Sequence, residues 1–377
     1  MDFSLYKTTQ IEILRHLRER GNVVHLLAIY SKQKPTSRDL NFQIDTVPLR
    51  YFPVLTPFLF ATLLIVFFPL YIAARKPEFV ILEPDLNVLL FVWKPLLKKL
   101  GIKMVLDIRS TPVELVNLRR RLSALWFNVA VVIGKNMLDG MTTLTSRMKK
   151  ELCDRFNIHE DYVGVWTSGV STSLFDPVKY DGKDTKRRLS LTGKFIVFHH
   201  GSLTMNRGML ETIKAFRLLK RQFPDTILFI LGSGDAVPAL MKAALQLGVL
   251  DNVKFHPPVP YSNVPEFIAM SDVCIVPLPD LPQWRNQCPL KLLEYLAMEK
   301  FVIATNIPAN QEVLGENKCG IYIRTVDPNE IARAIAYARD NYQKLDELGQ
   351  SGRIIVQEKY SWEKVAETLQ IYLERHR

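Results

Sequence analysis

Cysteine is scarce in this 377-residue chain: Cys153, Cys274, Cys288 and Cys319 are its four. They are too scattered for a disulfide framework or a Cys-x-x-Cys metal site, and they fit a reducing compartment. The N-terminus has no basic segment followed by an apolar core, so it is not read as a secretory signal. Zinc-finger spacing, RNA-binding aromatic signatures and long Lys/Arg blocks are missing, which counts against nucleic acid. A formal charge of +11 and a pI of about 9.4 still permit anionic lipid or phosphorylated small molecules as partners, and do not choose between them. Charge is absent altogether from 52–74, FPVLTPFLFATLLIVFFPLYIAA, roughly the length that spans a bilayer. Pro53, Pro57 and Pro69 interrupt it, and Arg75-Lys76-Pro77 closes it. Three readings stand: a buried crossover helix of an α/β domain, an interfacial helix that docks on a bilayer, and a true span, which would separate pieces of one domain.

What is present is a chain too long for one core, with a hydrophobic content of 48%. Short apolar runs alternate with helical stretches, the pattern of doubly wound parallel sheets. In the first half, strands are expected over 23–30, 79–82, 103–108 and near 141–144. Helices are expected over 11–20, 52–74, 88–100, 112–120 and from 122 on, with a polar loop over 32–45. A basic linker, 179–188, is expected to mark the boundary near 180. Alternation restarts after it, with strands at 195–198, 227–231, 253–255, 273–277 and 301–304. The expected domains are 1–180, 181–358 and a final amphipathic helix, 359–377, packing back toward the N-terminal domain. The chain opens on a loop and helix where such a sheet would normally begin with an apolar strand.

Three stretches carry chemistry. His199-His-Gly-Ser-Leu-Thr-Met-Asn-Arg-Gly208 follows a strand and precedes a helix, where backbone N–H groups and the positive helix end favour an anion. Gly201 permits close backbone approach and Arg207 can fork onto phosphate oxygens. An ordinary strand-to-helix turn explains the glycine equally well. Leu231-Gly-Ser-Gly-Asp235 also ends a strand; it borders a ligand or simply turns, and it is no Walker sequence. Pro289-Leu-Lys-Leu-Leu-Glu-Tyr-Leu-Ala-Met298 reads as a helix with Lys291 and Glu294 on one face and Leu292, Leu293 and Leu296 on the buried side. An ammonium near a helix N-terminus suits phosphate, and a carboxylate one turn on suits ribose hydroxyls. A surface Lys/Glu pair looks the same locally.

The second half resembles the nucleotide-binding domain of retaining GT-B-fold glycosyltransferases of family four. Their Gly-Arg-Leu followed by Lys-Gly stands here as Gly201-Ser202-Leu203 and Arg207-Gly208. Their pair of glutamates, with seven residues between them, becomes Asn286 and Glu294 in a stretch similar to variants reading Pro-x-Lys-x-x-Glu-Tyr-x-Ala. The strip 304–312 and the segment 165–177, with Ser168 and Ser171 in place of the family's Asn and Asp, extend the likeness. In the first half, 106–114 loosely resembles an Asp-x-Arg-Asp-x-Trp-Pro element, with Ser110 replacing the second aspartate.

The resemblance implies two Rossmann-like domains and transfer of a sugar from a UDP- or GDP-sugar to a hydroxyl of a glycan or lipid-linked acceptor, with retention. It assigns Arg207 and Lys291 to the donor diphosphate, Glu294 to its ribose and Asn286 to the sugar or phosphate. Gly201, Ser202, Gly232, Pro289 and Leu290 would line the same donor site. Asp107 and Arg109 would serve near the donor or acceptor sugar, unless they merely cap the following helix. His199 and His200 are acid/base candidates whose adjacency sends their side chains different ways, so at least one is read as structural. Front-side attack needs no side-chain nucleophile, and no metal or cofactor is expected. The resulting expectation is a cytoplasmic enzyme peripheral to the membrane. A noncatalytic nucleotide-sugar or polyanion-binding module is the alternative, because Asn286, Ser202 and Ser110 depart from the family.

Overall fold

The computed structural model describes residues 5–30, 43–48, 55–112, 118–316 and 319–377. Most of the loop expected over 32–45, the start of the apolar stretch at 52–54, and Val113 and Glu114 lie outside the described residues. The chain divides into two compact units, Met1–Ser168 with Trp362–Arg377, and Gly169–Ser361. The boundary thus falls at 168/169 rather than near 180.

The expected linker is folded. Gly182–Arg188 is a helix whose N-cap, Asp181, accepts from the N–H groups of Lys183 and Asp184. Its polarity misled because burial is local: Thr185 is buried, Lys186 pairs with Asp272 at 2.7 Å, and a Cβ at Gly182 would collide with the Ala269 carbonyl.

In the first unit, β1 (His25–Tyr30) and β2 (Gln43–Pro48) pair in parallel as a sheet of their own. A second parallel sheet has the order β3 (Phe79–Leu82), β4 (Lys103–Ile108), β5 (Gly140–Thr143), β6 (Val163–Val165). The last helix, Trp362–Arg375, belongs here too. Its Trp362, Val365, Ala366 and Leu369 share a buried cluster with Ile13, Leu17 and Trp166. Tyr372 Oη donates to the Tyr162 carbonyl and accepts from Met141 N–H.

The uncharged stretch forms the Leu55–Arg75 helix. It is not the fully buried crossover: Ala61, Phe68 and Ile72 are buried, while Val66, Phe67 and Leu70 are exposed. Pro69 lies inside it and has no N–H for the carbonyl of Ile65 four residues back. Trp93 Nε1 fills that vacancy at 2.8 Å. Tyr71 and Arg75 bond the Asp45 carboxylate, fixing the helix end to β2.

The second unit has one six-stranded parallel sheet. Its strands are β7 (Phe195–His200), β8 (Thr226–Leu231), β9 (Val253–His256), β10 (Val273–Val276), β11 (Val302–Thr305) and β12 (Gly320–Ile323). The order β12-β11-β10-β7-β8-β9 explains their near-continuous apolar runs, since central parallel strands are covered on both faces. On one face Ile213 and Phe216 of the Met209–Leu219 helix, and Ile331 and Ile335 of Pro328–Asp340, pack with Val197, Ile230, Ile275 and Ile303. The chain leaves β7 toward β8 and β9, then crosses back to place β10 on the other side of β7. That reversal lies at the carboxyl ends of β7 and β10, the place where doubly wound sheets bind ligands.

Candidate functional site

The second-unit candidates converge on that reversal. Gly201 (φ +115°) follows β7, Gly232 (φ +153°) follows β8, and the segment 286–294 comes after β10. Gly208 (φ +75°) precedes the Met209–Leu219 helix. A side chain there would strike the Pro277 carbonyl, so the glycine lets the loop after β7 lie against the exit of β10. Gly232 is pressed in the same way against the Gly201 carbonyl.

The Leu290–Ala297 helix follows buried Pro289, and every residue from Lys291 to Ala297 is buried. The expected half-exposed face is therefore corrected. Lys291 is 9% and Glu294 1% exposed, and each is held by a different histidine at the end of β7.

Lys291 Nζ lies 3.2 Å from His199 Nε2, while His199 Nδ1 lies 3.1 Å from the Ile275 carbonyl. A carbonyl only accepts, so Nδ1 carries the proton and Nε2 accepts from the lysine. Burial, then the lysine's charge, holds the His199 pKa well below its usual value. Burial, then the charge of Arg207, pushes Lys291 down to about 7. Glu294 opposes that shift more weakly, and among the described residues no carboxylate lies within ion-pair distance of Nζ. Arg207 is half-buried, its guanidinium 4.7 Å from the centre of the Trp284 ring. Trp284 Nε1 in turn donates to the Asn206 carbonyl at 3.0 Å, bracing the loop that carries the arginine. Two cations with overlapping fields and glycine backbone beside them form an arrangement that an anion would relieve.

Glu294 belongs to a separate network. His200 Nε2 donates to its Oε2 at 2.7 Å and Tyr261 Oη to its Oε1 at 2.8 Å. Tyr295 Oη accepts from His200 N–H and donates to His200 Nδ1, both at 3.0 Å. These bonds fix the imidazole and the carboxylate plane, leaving the remaining carboxylate lone pairs for a ligand. Asn286 is buried just before the helix, Leu290 and Gly232 are half-buried, and Ser202 is exposed.

Asp107 and Arg109 lie in the first unit, and each is committed within it. Asp107 is 5% exposed and its Oδ1 accepts from Thr142 Oγ1 at 2.7 Å and Trp166 Nε1 at 2.9 Å. Burial raises its pKa, against the pull of Arg109 and these two bonds. Arg109 stacks 3.6 Å above the Trp166 ring and donates to its carbonyl. The pair therefore braces β4 against its neighbours, and Asp107 is not positioned as an exposed acid or base.

The sequence reading missed the roles of Tyr261, Trp284 and Tyr295. Tyr295 sits inside the quoted helix motif and His200 inside the strand-end motif, so both had a signal. Tyr261 reaches the site from the separate turn Tyr261–Asn263 and had none; Trp284, in the short helix Pro282–Arg285, stands just before Asn286 and outside the quoted stretch. Among the described residues no group of three His, Cys, Asp or Glu side chains is placed to hold a metal ion.

Residues 182–354 match the family model of glycosyl transferases group 1. The matched stretch lies within the second unit. It is 28% identical over 236 residues to an uncharacterized glycosyltransferase of Methanocaldococcus jannaschii, a match covering 61% of this chain and 58% of the relative. The chain thus spans less than two thirds of the length of the curated relatives it matches. A glycosyltransferase of Rickettsia africae superposes with a TM-score of 0.76 at 16% identity, over 98% of this chain and 94% of that one. Anabaena HepE, solved with UDP and glucose, gives 0.75 at 14% identity over 99% and 96%. At these identities the likeness carries the fold: two Rossmann-like units, the GT-B fold.

Proposed function

We propose that this protein transfers a sugar from a nucleoside-diphosphate sugar to a hydroxyl acceptor, with retention at the anomeric carbon. The observation that carries the reading is Lys291: a buried ammonium in the first turn of a helix, beside Gly201 and the charge of Arg207, with a histidine rather than a carboxylate as its partner. A diphosphate supplies the missing negative charge and restores the lysine proton near neutral pH. The family match over 182–354 and the UDP and glucose bound to Anabaena HepE support the same donor class.

In this reading Lys291 and Arg207 stabilise the charge that develops on the departing diphosphate. His199 positions the ammonium without competing for the anion. Glu294, held by His200 and Tyr261, receives ribose hydroxyls, and Asn286 meets the sugar or its phosphate as a hydrogen-bonding group. Gly201, Ser202, Gly232, Pro289 and Leu290 line the donor. The bond from the anomeric carbon to phosphate oxygen breaks as the bond to the acceptor oxygen forms on the same face. The acceptor proton passes to the departing phosphate oxygen, so no side-chain nucleophile takes part. Asp107 and Arg109 shape the first unit and touch no reacting atom. We further infer a glycan or lipid-linked acceptor met at the cytoplasmic face of a membrane, supported by the +11 charge and the uncharged helix of the first unit.

The test is incubation of the full chain with radiolabelled UDP- and GDP-sugars and a panel of hydroxyl acceptors. Labelled product or donor hydrolysis is expected with one nucleotide series. Binding without transfer or hydrolysis across the panel would instead establish a noncatalytic nucleotide-sugar module.

A further inference from the structure

The first unit contains two helices that carry large apolar side chains on their outward faces as well as on their buried ones. On Leu55–Arg75, Phe58, Leu59, Val66, Phe67 and Leu70 are 44 to 69% exposed, opposite the buried Ala61, Phe68 and Ile72. By length and composition, the window Phe58–Arg75 could cross a membrane, with a mean hydropathy of 2.0. On Leu118–Met137, Phe127, Ala130 and Val131 are buried. Leu122, Leu125, Val129 and Val132 recur three and four apart on the other side, 37 to 61% exposed. Both helices pack against the 3-10 segment Leu86–Trp93, whose Val92 is 49% exposed. Exposed apolar side chains gathered on neighbouring elements mark an interaction site.

Charge identifies the occupant. The stretches 55–76, 86–106 and 115–138 contain ten Lys or Arg and no Asp or Glu, in a chain with 38 acidic residues. Two of the ten are already paired, Arg75 with Asp45 and Lys94 with Asp139; Asp85 caps the 3-10 segment, and Glu78 and Glu83 lie between the first two stretches. A second copy of this chain would bring the same basic rim against itself, whereas anionic headgroups complement it. The fixings of Leu55–Arg75 argue against a span, since its buried face, the Trp93 bond to Ile65 and the Asp45 anchors would all break.

We propose that this two-helix face lies flat on an anionic lipid bilayer. The exposed Leu, Val and Phe side chains enter the headgroup boundary, and Lys98, Lys99 and Arg121 meet the phosphates. The proposal rests on the membrane contact inferred above and names its surface, and it stands or falls separately from sugar transfer.

The experiment is co-sedimentation of the full chain with vesicles of phosphatidylcholine alone and of phosphatidylcholine mixed with phosphatidylglycerol. Donor turnover on a soluble acceptor is measured in parallel as a check on the second unit. Binding is expected on the mixed vesicles, reversed by high salt. Lys98→Glu with Lys99→Glu should weaken it by at least about tenfold. Leu125→Asp with Val129→Asp, and separately Phe67→Asp with Leu70→Asp, should do the same with unchanged turnover and circular dichroism. Absence of wild-type binding to either vesicle overturns the proposal, as does wild-type binding by the folded aspartate variants. Retention of the chain in membranes after alkaline carbonate would establish a span instead. A concentration-dependent dimer abolished by Leu125→Asp, without vesicle binding, would assign the face to a second copy.

Discussion

The two Rossmann-like units use buried polar groups in opposite ways. In the second, His199, His200, Tyr261 and Tyr295 hold Lys291 and Glu294 so that unspent charge and lone pairs remain at the switch between β7 and β10. In the first, Asp107 Oδ1 accepts from Thr142 and Trp166 and Arg109 donates to the Trp166 carbonyl, bonds that tie strands together. A buried ionisable group therefore points to a ligand only when its partners leave it unneutralised. Lys291 meets that condition and Asp107 does not. The outer surfaces differ too: in the first unit two helices keep apolar side chains in contact with solvent, the surface proposed above to meet a bilayer.

The largest effect that would sharpen this contrast is at Lys291. Lys291→Met should lower transfer about 10²–10³-fold, by analogy with loss of a charge-stabilising donor, while thermal unfolding stays near wild type or rises because a buried charge has gone. Equal loss of stability and activity would make Lys291 another brace. Glu294→Ala strips the acceptor from His200 and Tyr261. It is expected to raise the donor KM about tenfold and cost about 1–3 kcal/mol of stability, read from urea unfolding. If donor affinity and turnover both survive, the ribose assignment fails.

The pH dependence of UDP affinity is a finer probe. Lys291 is pushed down to about 7 in the unliganded protein, and a bound diphosphate raises it. Affinity should thus be complete below pH 7 and fall as pH rises above it, by up to about tenfold per unit until the bound-state pKa is reached. Calorimetry in buffers of different ionisation heat should register proton uptake at pH 8, and Lys291→Met should register none at this group. His199→Phe, which removes the acceptor on Nζ, should change the pH midpoint and the donor KM more than kcat. The smallest catalytic effect is expected from Asp107→Asn. It places an amide among buried donors and should cost about 1–3 kcal/mol, with turnover per folded molecule within about twofold of wild type. A large drop in turnover with unchanged unfolding would place Asp107 in the chemistry and erase the contrast between the units.

Legibility followed the range of the interactions. The Leu290–Ala297 helix and the strand from Phe195 come from local periodicity and turn residues, and they appear where the pattern puts them, the strand running two residues further, to His200. Gly182–Arg188 was hidden because its composition is that of a linker and only its tertiary contacts make it part of a domain. The apolar 55–75 stretch was legible as a helix, but its sidedness was not, because a helix without charges carries no internal mark of which face is buried. Lys291 and Glu294 were found by spacing. Their burial, and the assignment of one histidine to each, required the strand β7 to be laid beside the helix.

The sequence by itself determined the two alternating α/β halves, the donor-type motifs after β7 and before the Leu290–Ala297 helix, and the departure of Asn286 from the family acid. These are local matters of residue type, periodicity and spacing. Only the tertiary structure decided which charges are neutralised. Partners such as Tyr261 for Glu294, the Trp284 ring beside Arg207 and Thr142 for Asp107 come from distant points of the chain, and in a low-dielectric interior those partners set whether a charged group braces the fold or waits for a ligand.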